Sequence, residues 1–287
     1  MRIIFFGLGS IGLRHLRLIQ EFFNHEIFAY RSHWHEYDSS ELTPSGVHEL
    51  NSWNLIDIYQ PEIAFICNST NLHIQTAIEC AKRKMHLFIE KPIGTNLNGL
   101  DELLYLVRKY NLVTYVAYDM RHATQINIIR EKIKDIIIDK INIVCHSNSQ
   151  NWPSKRNLDN VLLELSHEID YAYYIFRYVD HIQGVHRDTW AKIELSRPFG
   201  CPIDIDLDML AKDERRYIYL HGYTIELFTN KLLSRKSIWQ DMKVNDSVYL
   251  NQLHYFFDNI NNPKMMNNIF EASEIFKMIM DFKNNAV

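Results

Sequence analysis

The chain is 287 residues long, 47% hydrophobic and 23% charged, with a formal net charge of −4. That size suits two domains, and the apolar share is enough to build a core. The acidic balance argues against a dedicated nucleic-acid binder, which carries a basic surplus, and no apolar stretch approaches the ~18 residues of a membrane span.

From the N-terminus, an apolar run at 3–6 stops at Gly7, glycines recur at Gly9 and Gly12, and a periodic segment begins with Ile11, Leu13, Leu16, Leu18 and Ile19. A buried strand feeding a helix through G-x-G-x-x-G is the dinucleotide-binding fingerprint. Gly7 permits the tight turn, Gly9 lets backbone approach a pyrophosphate, and Gly12 lets the helix pack closely on the strand. Ser10 and Ile11 open the helix, whose first N–H groups and partial positive charge suit a phosphate. The bland alternative is a purely structural glycine turn. The apolar run is too short for a signal peptide, and Cys67, Cys80, Cys145 and Cys201 lack C-x-x-C spacing. The chain therefore reads as a cytoplasmic protein with reduced thiols and no metal site.

Strands follow at 27–30, 63–67, 86–89 and 113–117, separated by helical patterns at 71–83 and 97–110. Strands alternating with helices imply right-handed crossovers and a parallel sheet. After about residue 121 the pattern changes. A helix over 125–137 leads into alternating stretches at 141–146, 190–195, 203–209, 216–220 and 224–228. Alternation favours an antiparallel sheet with one buried face. Helices are expected at 161–178, 247–260 and 270–282. The organisation is thus a nucleotide-binding domain over 1–121 and an α+β domain over 122–287.

Ligands of open parallel sheets bind beyond the carboxyl ends of the strands. Three polar clusters lie there: the glycine loop, Asn68 to Thr70 with His73 just beyond, and Glu90-Lys91-Pro92. Pro92 restrains Lys91 towards extended geometry, which places the ammonium with little freedom; an exposed strand-end lysine is the competing reading. His33 and His35 flank Trp34, but no third metal ligand stands nearby and a solvated loop is the better reading.

The segments GLGSIG, CNSTNLHIQTAIECAKRKMHLFIEKPI, VAYDMRHA, LLELSHEIDYAYYIF and RRYIYLHGYTIELF resemble the glucose–fructose oxidoreductase, inositol dehydrogenase and rhizopine catabolism (Gfo/Idh/MocA) family. The resemblance implies a Rossmann domain followed by an α+β domain on an open, mostly antiparallel sheet. It implies an oxidoreductase exchanging hydride between a nicotinamide and a sugar-type hydroxyl or ketone. Within that pattern Lys91 lies near nicotinamide and substrate, and His167 acts as proton acceptor. Many members carry an aspartate four residues before this histidine; here that position is Leu163, and the nearest acid is Glu164. Residues three apart on a helix are neighbours, so Glu164 is a candidate for orienting His167 or for binding a substrate hydroxyl. Asp170, three residues after His167, is a candidate for binding a substrate hydroxyl or for a structural cap.

The resemblance also implies a substrate pocket lined by Tyr118, Arg121, Trp152, Arg156, Asp170 and Tyr174. Two arginines and a tryptophan suit a phosphorylated or carboxylated sugar, because guanidinium binds such groups bidentately. Relatives with a similar 149–156 segment belong to bacterial surface-polysaccharide and nonulosonic acid pathways, although here the connection from Arg156 to Val161 lacks the glycine run many carry. An acid at the end of the second strand selects NAD, and arginine there accommodates the 2′-phosphate of NADP. This chain reads Ala29-Tyr30-Arg31-Ser32, so NADP is expected over NAD, with stacking of Arg31 on adenine as the alternative. A homodimer or homotetramer is expected from the family's habit of packing the second domain's sheet against another subunit.

Overall fold

The computed structural model describes residues 1–31, 43–135, 138–151, 160–177, 179–198, 200–220, 223–227 and 248–285. The chain divides into two compact units, residues 1–117 with 252–273 and residues 118–251 with 274–287. The sequence boundary at 121 falls close to the first crossing, but residues 252–273 rejoin the first unit, where the sequence reading kept them in the second.

The first unit runs β1 (Arg2–Phe6), α1 (Ser10–Phe22), β2 (Glu26–Tyr30), β3 (Val47–Leu50), α2 (Trp53–Tyr59), β4 (Ile63–Ile66), α3 (His73–Lys82), β5 (His86–Ile89), α4 (Leu100–Tyr110) and β6 (Thr114–Val116). The strands form one parallel sheet in the order β3-β2-β1-β4-β5-β6, the Rossmann order. Strands covered on both faces read as continuous apolar runs, which is why β1, β4 and β5 were legible. β3 was not: it is an edge strand whose His48 and Glu49 remain partly solvated. α2 was not expected either, although Ser52 marks its start by accepting a hydrogen bond from the Leu55 N–H.

The second unit contains α5 (Thr124–Lys132), β7 (Ile141–Asn148), α6 (Val161–Glu164), α7 (Ser166–Phe176), β8 (His181–His186), β9 (Trp190–Ser196), β10 (Ile203–Asp208), β11 (Leu210–Leu220) and β12 (Tyr223–Glu226). The chain closes with α8 (Val248–Asp258) and α9 (Ile269–Asn285). The second sheet has the order β12-β11-β7-β10-β9-β8 and is antiparallel except for the β7–β10 pair. β8, with Gly184 at its centre, carried too weak an alternation to be predicted. The expected helix over 161–178 breaks at Leu165 (φ −101°, ψ 32°), giving α6 and α7.

One aromatic ladder fixes the first unit's core. Phe5, Phe65, Phe88 and Tyr115 face one another directly across β1, β4, β5 and β6, with ring centroids 4.9, 4.4 and 5.2 Å apart in succession. Phe256 of α8 meets Phe65 and Phe88 edge-on, at 6.0 and 5.4 Å. Offset-stacked and edge-on pairs are the favoured geometries of aromatic quadrupoles, so the ladder recruits residues 252–273 to this unit. In the second unit the buried Glu168 of α7 accepts a 2.6 Å hydrogen bond from Arg216 Nε of β11. Burial opposes the guanidinium's charge, but Glu168 together with the other acidic groups around it, Asp119 among them, raises its pKa and Arg216 stays protonated.

Candidate active site

The turn from β1 into α1 is built by close backbone contact. Gly7 has φ +96°, and a Cβ there would lie 2.5 Å from the Asn68 nitrogen; a Cβ on Gly12 would lie 2.1 Å from the Gly7 oxygen. Any larger side chain at either place forces β1, α1 and the Asn68 turn apart. Gly9 differs: a Cβ there meets nothing within 4 Å. The α1 terminus has Gly9 as its N-cap, with no side-chain cap and no acid in its first turn. Exposed Ser10 and half-buried Ile11 follow. Open space above Gly9 and an uncapped helix terminus fit a bound diphosphate.

Two buried histidines stiffen the neighbouring strand ends. His15 of α1 lies with Nε2 2.7 Å from Glu90 Oε1, and the other Glu90 oxygen accepts the Lys91 backbone N–H at 3.2 Å. Glu90 therefore holds the backbone that carries Lys91, whose side chain is half-buried at the end of β5. His73 places Nδ1 2.9 Å from the Pro92 carbonyl and Nε2 3.0 Å from the Asn68 carbonyl. The Asn68 side chain donates to Thr76 at 2.9 Å, and half-buried Thr70 opens the short 3-10 turn before α3. Glu90 and His73 were read as cofactor contacts; here their polar atoms brace the turns on which Lys91 and Asn68 sit. His15 was missed, because a histidine within a periodic helix gives no sign of a partner seventy-five residues away.

Arg31 follows β2, its N–H donating to the Leu50 carbonyl at 2.8 Å. Its Nε stands 3.8 Å from Glu49 Oε1. The sequence around Arg31 holds no acid; pairing of β2 with β3 supplies one.

In the second unit, Arg121 and Asp170 engage each other. Arg121 Nε and Nη2 donate to the two Asp170 oxygens at 2.9 and 2.7 Å, with both side chains wholly buried. Arg121 and Asp170 were expected in the substrate pocket; in this structure the forked guanidinium is matched to a carboxylate of the same chain. Tyr174 packs beneath Arg121 and Arg130, and its hydroxyl donates to Asn127 at 3.1 Å. Tyr118 is wholly buried, and desolvation with the Asp170 carboxylate pushes its phenol well above the ordinary value.

His167, the second residue of α7, has Nδ1 3.5 Å from Asp119 Oδ1. The Tyr118 ring stands edge-on to its imidazole, 5.8 Å between centroids. Glu164 and His167 do not share one helical face, since Leu165 interrupts the helix between them. Ser32, His33, His35, Trp152 and Arg156 lie outside the described residues. All four cysteines are free thiols, and burial raises Cys67 further above its ordinary range. Among the described residues no group of three or more His, Cys, Asp or Glu could hold a metal ion, and no helix is long and apolar enough to cross a membrane.

Residues 1–118 match the sequence model of the oxidoreductase family with an NAD-binding Rossmann fold, Gfo/Idh/MocA. A myo-inositol 2-dehydrogenase of Thermotoga maritima is 24% identical over 250 residues, covering 80% of this chain and 73% of that protein. Among solved structures, a UDP-N-acetylglucosamine 3-dehydrogenase of Acidithiobacillus ferrooxidans superposes with a TM-score of 0.82 at 15% identity, over 100% of this chain and 97% of that one. The WlbA dehydrogenase of Chromobacterium violaceum, solved with NADH and UDP-GlcNAcA, gives 0.79 at 14% identity, over 100% and 94%.

Proposed function

We propose that the chain is a member of the Gfo/Idh/MocA family, a dehydrogenase or reductase that prefers NADP and acts on a sugar-type hydroxyl or ketone. The substrate class is a nucleotide sugar or sugar acid of bacterial surface-glycan biosynthesis, handled in the cytoplasm. The observation that carries this reading is the glycine turn, closed by backbone at Gly7 and Gly12 yet open above Gly9, in the same sheet as a lysine whose backbone is pinned by Glu90. The substrate class is supported by the two sugar-nucleotide proteins with the same fold.

A bound nicotinamide would supply the hydride acceptor or donor. Lys91 binds the substrate oxygen, and its ammonium stabilises the alkoxide character that develops there. His167 takes the hydroxyl proton and returns it in the reverse direction, a duty suited to an imidazole with an unperturbed pKa of ~6.5. Arg31 binds the 2′-phosphate, which competes with the single carboxylate of Glu49 for the guanidinium. Trp152 and Arg156 are the remaining substrate candidates. Self-association uses the sheet face that carries Lys192, Glu194, Asp204, Tyr217 and Tyr219 above a depression of about 990 Å³.

The test is a screen of nucleotide sugars and free sugar acids, monitoring the absorbance of reduced nicotinamide, with Lys91→Ala alongside. Turnover that disappears in the variant supports the assignment; unchanged turnover removes it. Substrate conversion with no net change in nicotinamide would assign instead an enzyme that uses the cofactor transiently.

A further inference from the structure

Many proteins of the family this chain resembles carry an aspartate four residues before the position of His167, and this chain has Leu163 there. Leu163 is wholly buried and apolar, so α6 cannot orient the His167 ring from that position. A carboxylate reaches the ring from elsewhere. Asp119, on the short 3-10 turn Asp119–His122, presents Oδ1 3.5 Å from His167 Nδ1. Both groups are shielded, with side-chain exposures of 10% and 17%.

Turn and helix are also clamped together. Arg121, two residues after Asp119, makes the bidentate, fully buried pair with Asp170, three residues after His167. The edge-on Tyr118 ring limits the imidazole on another side. Arg121 and Asp170 neutralise each other, and Glu168 of α7 is paired with Arg216 of β11, which also feels the Asp119 charge; Asp119 is the carboxylate that stands at ion-pair distance from Nδ1.

We propose that Asp119 is the positioning residue for His167, taking the place of the acid missing at 163. This rests on His167 being the proton acceptor. Asp119 holds the neutral ring with its proton on Nδ1, so Nε2 carries the lone pair that takes the substrate proton, and it stabilises the imidazolium that results. The 3.5 Å separation is an ion-pair distance rather than a formed hydrogen bond; catalytic hydrogen bonds are often long before substrate binds and tighten in the loaded complex.

The experiment uses the full chain with isotope-labelled histidine, the His167 signals being assigned by their loss in His167→Gln. In the unmodified protein the neutral ring is expected as the Nδ1–H tautomer. Asp119→Asn is expected to lower the His167 titration midpoint by about one unit or more, the usual effect of removing an opposite charge at 4–6 Å or less. Asp119→Glu restores most of the shift. On any substrate found by the screen, Asp119→Asn lowers kcat by ~10–100-fold with KM nearly unchanged, within the span of general-base effects.

An Nε2–H tautomer in the unmodified protein overturns the proposal, a measurement that needs no variant to fold. An unmoved midpoint in a folded Asp119→Asn protein overturns it equally. If the coupling is present but His167→Gln turns over normally, the pairing stands and the assignment of His167 as proton acceptor fails.

Discussion

Replacing Gly12 and Gly9 by alanine separates the two demands made on the β1–α1 turn. A methyl on Gly12 arrives 2.1 Å from the Gly7 oxygen and 3.1 Å from its carbonyl carbon. Ordinary contact begins near 3.4 Å, so α1 and the turn must separate by more than an ångström. Gly7 cannot absorb the shift, being already against the Asn68 backbone. Overpacking of this kind costs about 1–3 kcal/mol. If the strain falls on the diphosphate cradle, that cost weakens dinucleotide binding by roughly 5–150-fold. Gly12→Ala should therefore lower both the melting temperature and the affinity for NADPH and NADH. A methyl on Gly9 meets no protein atom within 4 Å, and its φ of −69° suits alanine. Gly9→Ala should leave stability within about 0.5 kcal/mol of the parent yet reduce affinity at least ~10-fold, because the methyl stands where the pyrophosphate approaches. Scanning calorimetry gives the first quantity and isothermal titration with each cofactor the second. A Gly9→Ala protein that binds both cofactors like the parent would refute the placement of the diphosphate over this turn.

Further outcomes are expected elsewhere. Arg31→Ala should weaken NADPH by ~10-fold or more while sparing NADH, and Glu49→Gln should strengthen NADPH by removing a competing charge 3.8 Å from Arg31; in isothermal titration, a parent protein that clearly prefers NADH removes the Arg31 assignment. Phe65→Ala should cost about 3–5 kcal/mol, since Phe65 is fully buried and stacks on both Phe5 and Phe88; a loss below about 1 kcal/mol in urea unfolding would deny the ladder its place in the core. His122 has its pKa lowered to about 4 by burial and then by Arg121. The unfolded chain takes up this proton below about pH 6.5 while the folded chain does not. Stability is thus complete above that pH and declines as pH falls towards 4, by up to about 3 kcal/mol at 1.36 kcal/mol per unit. Unfolding at pH 7.5 and 4.5 should show that decline, reduced in His122→Gln; an equal decline in the variant assigns it to other groups.

Local pattern alone determined the Rossmann unit and the glycine turn. Apolar runs such as 3–6 and 63–66 can be satisfied only between two layers of helix, and G-x-G-x-x-G has few other uses at a strand-to-helix junction. The alternation in β9 and β10 likewise declared a sheet with one covered face. Elements with weak patterns stayed hidden: β3, because edge strands tolerate polar residues, and β8, because a central glycine weakens its alternation.

What only the tertiary structure decided is which polar groups meet. Arg121 and Asp170 looked available to a substrate because nothing in their spacing shows that a turn and a helix forty-nine residues apart would join them. Glu164 looked like the partner of His167 because helical periodicity was assumed through Leu165, where the backbone departs from it. His15 with Glu90, Glu49 with Arg31 and Asp119 with His167 are all pairs between different elements. Periodicity governs contacts within one element; charge pairs across elements depend on register, break points and the approach of backbones, which only the folded chain specifies.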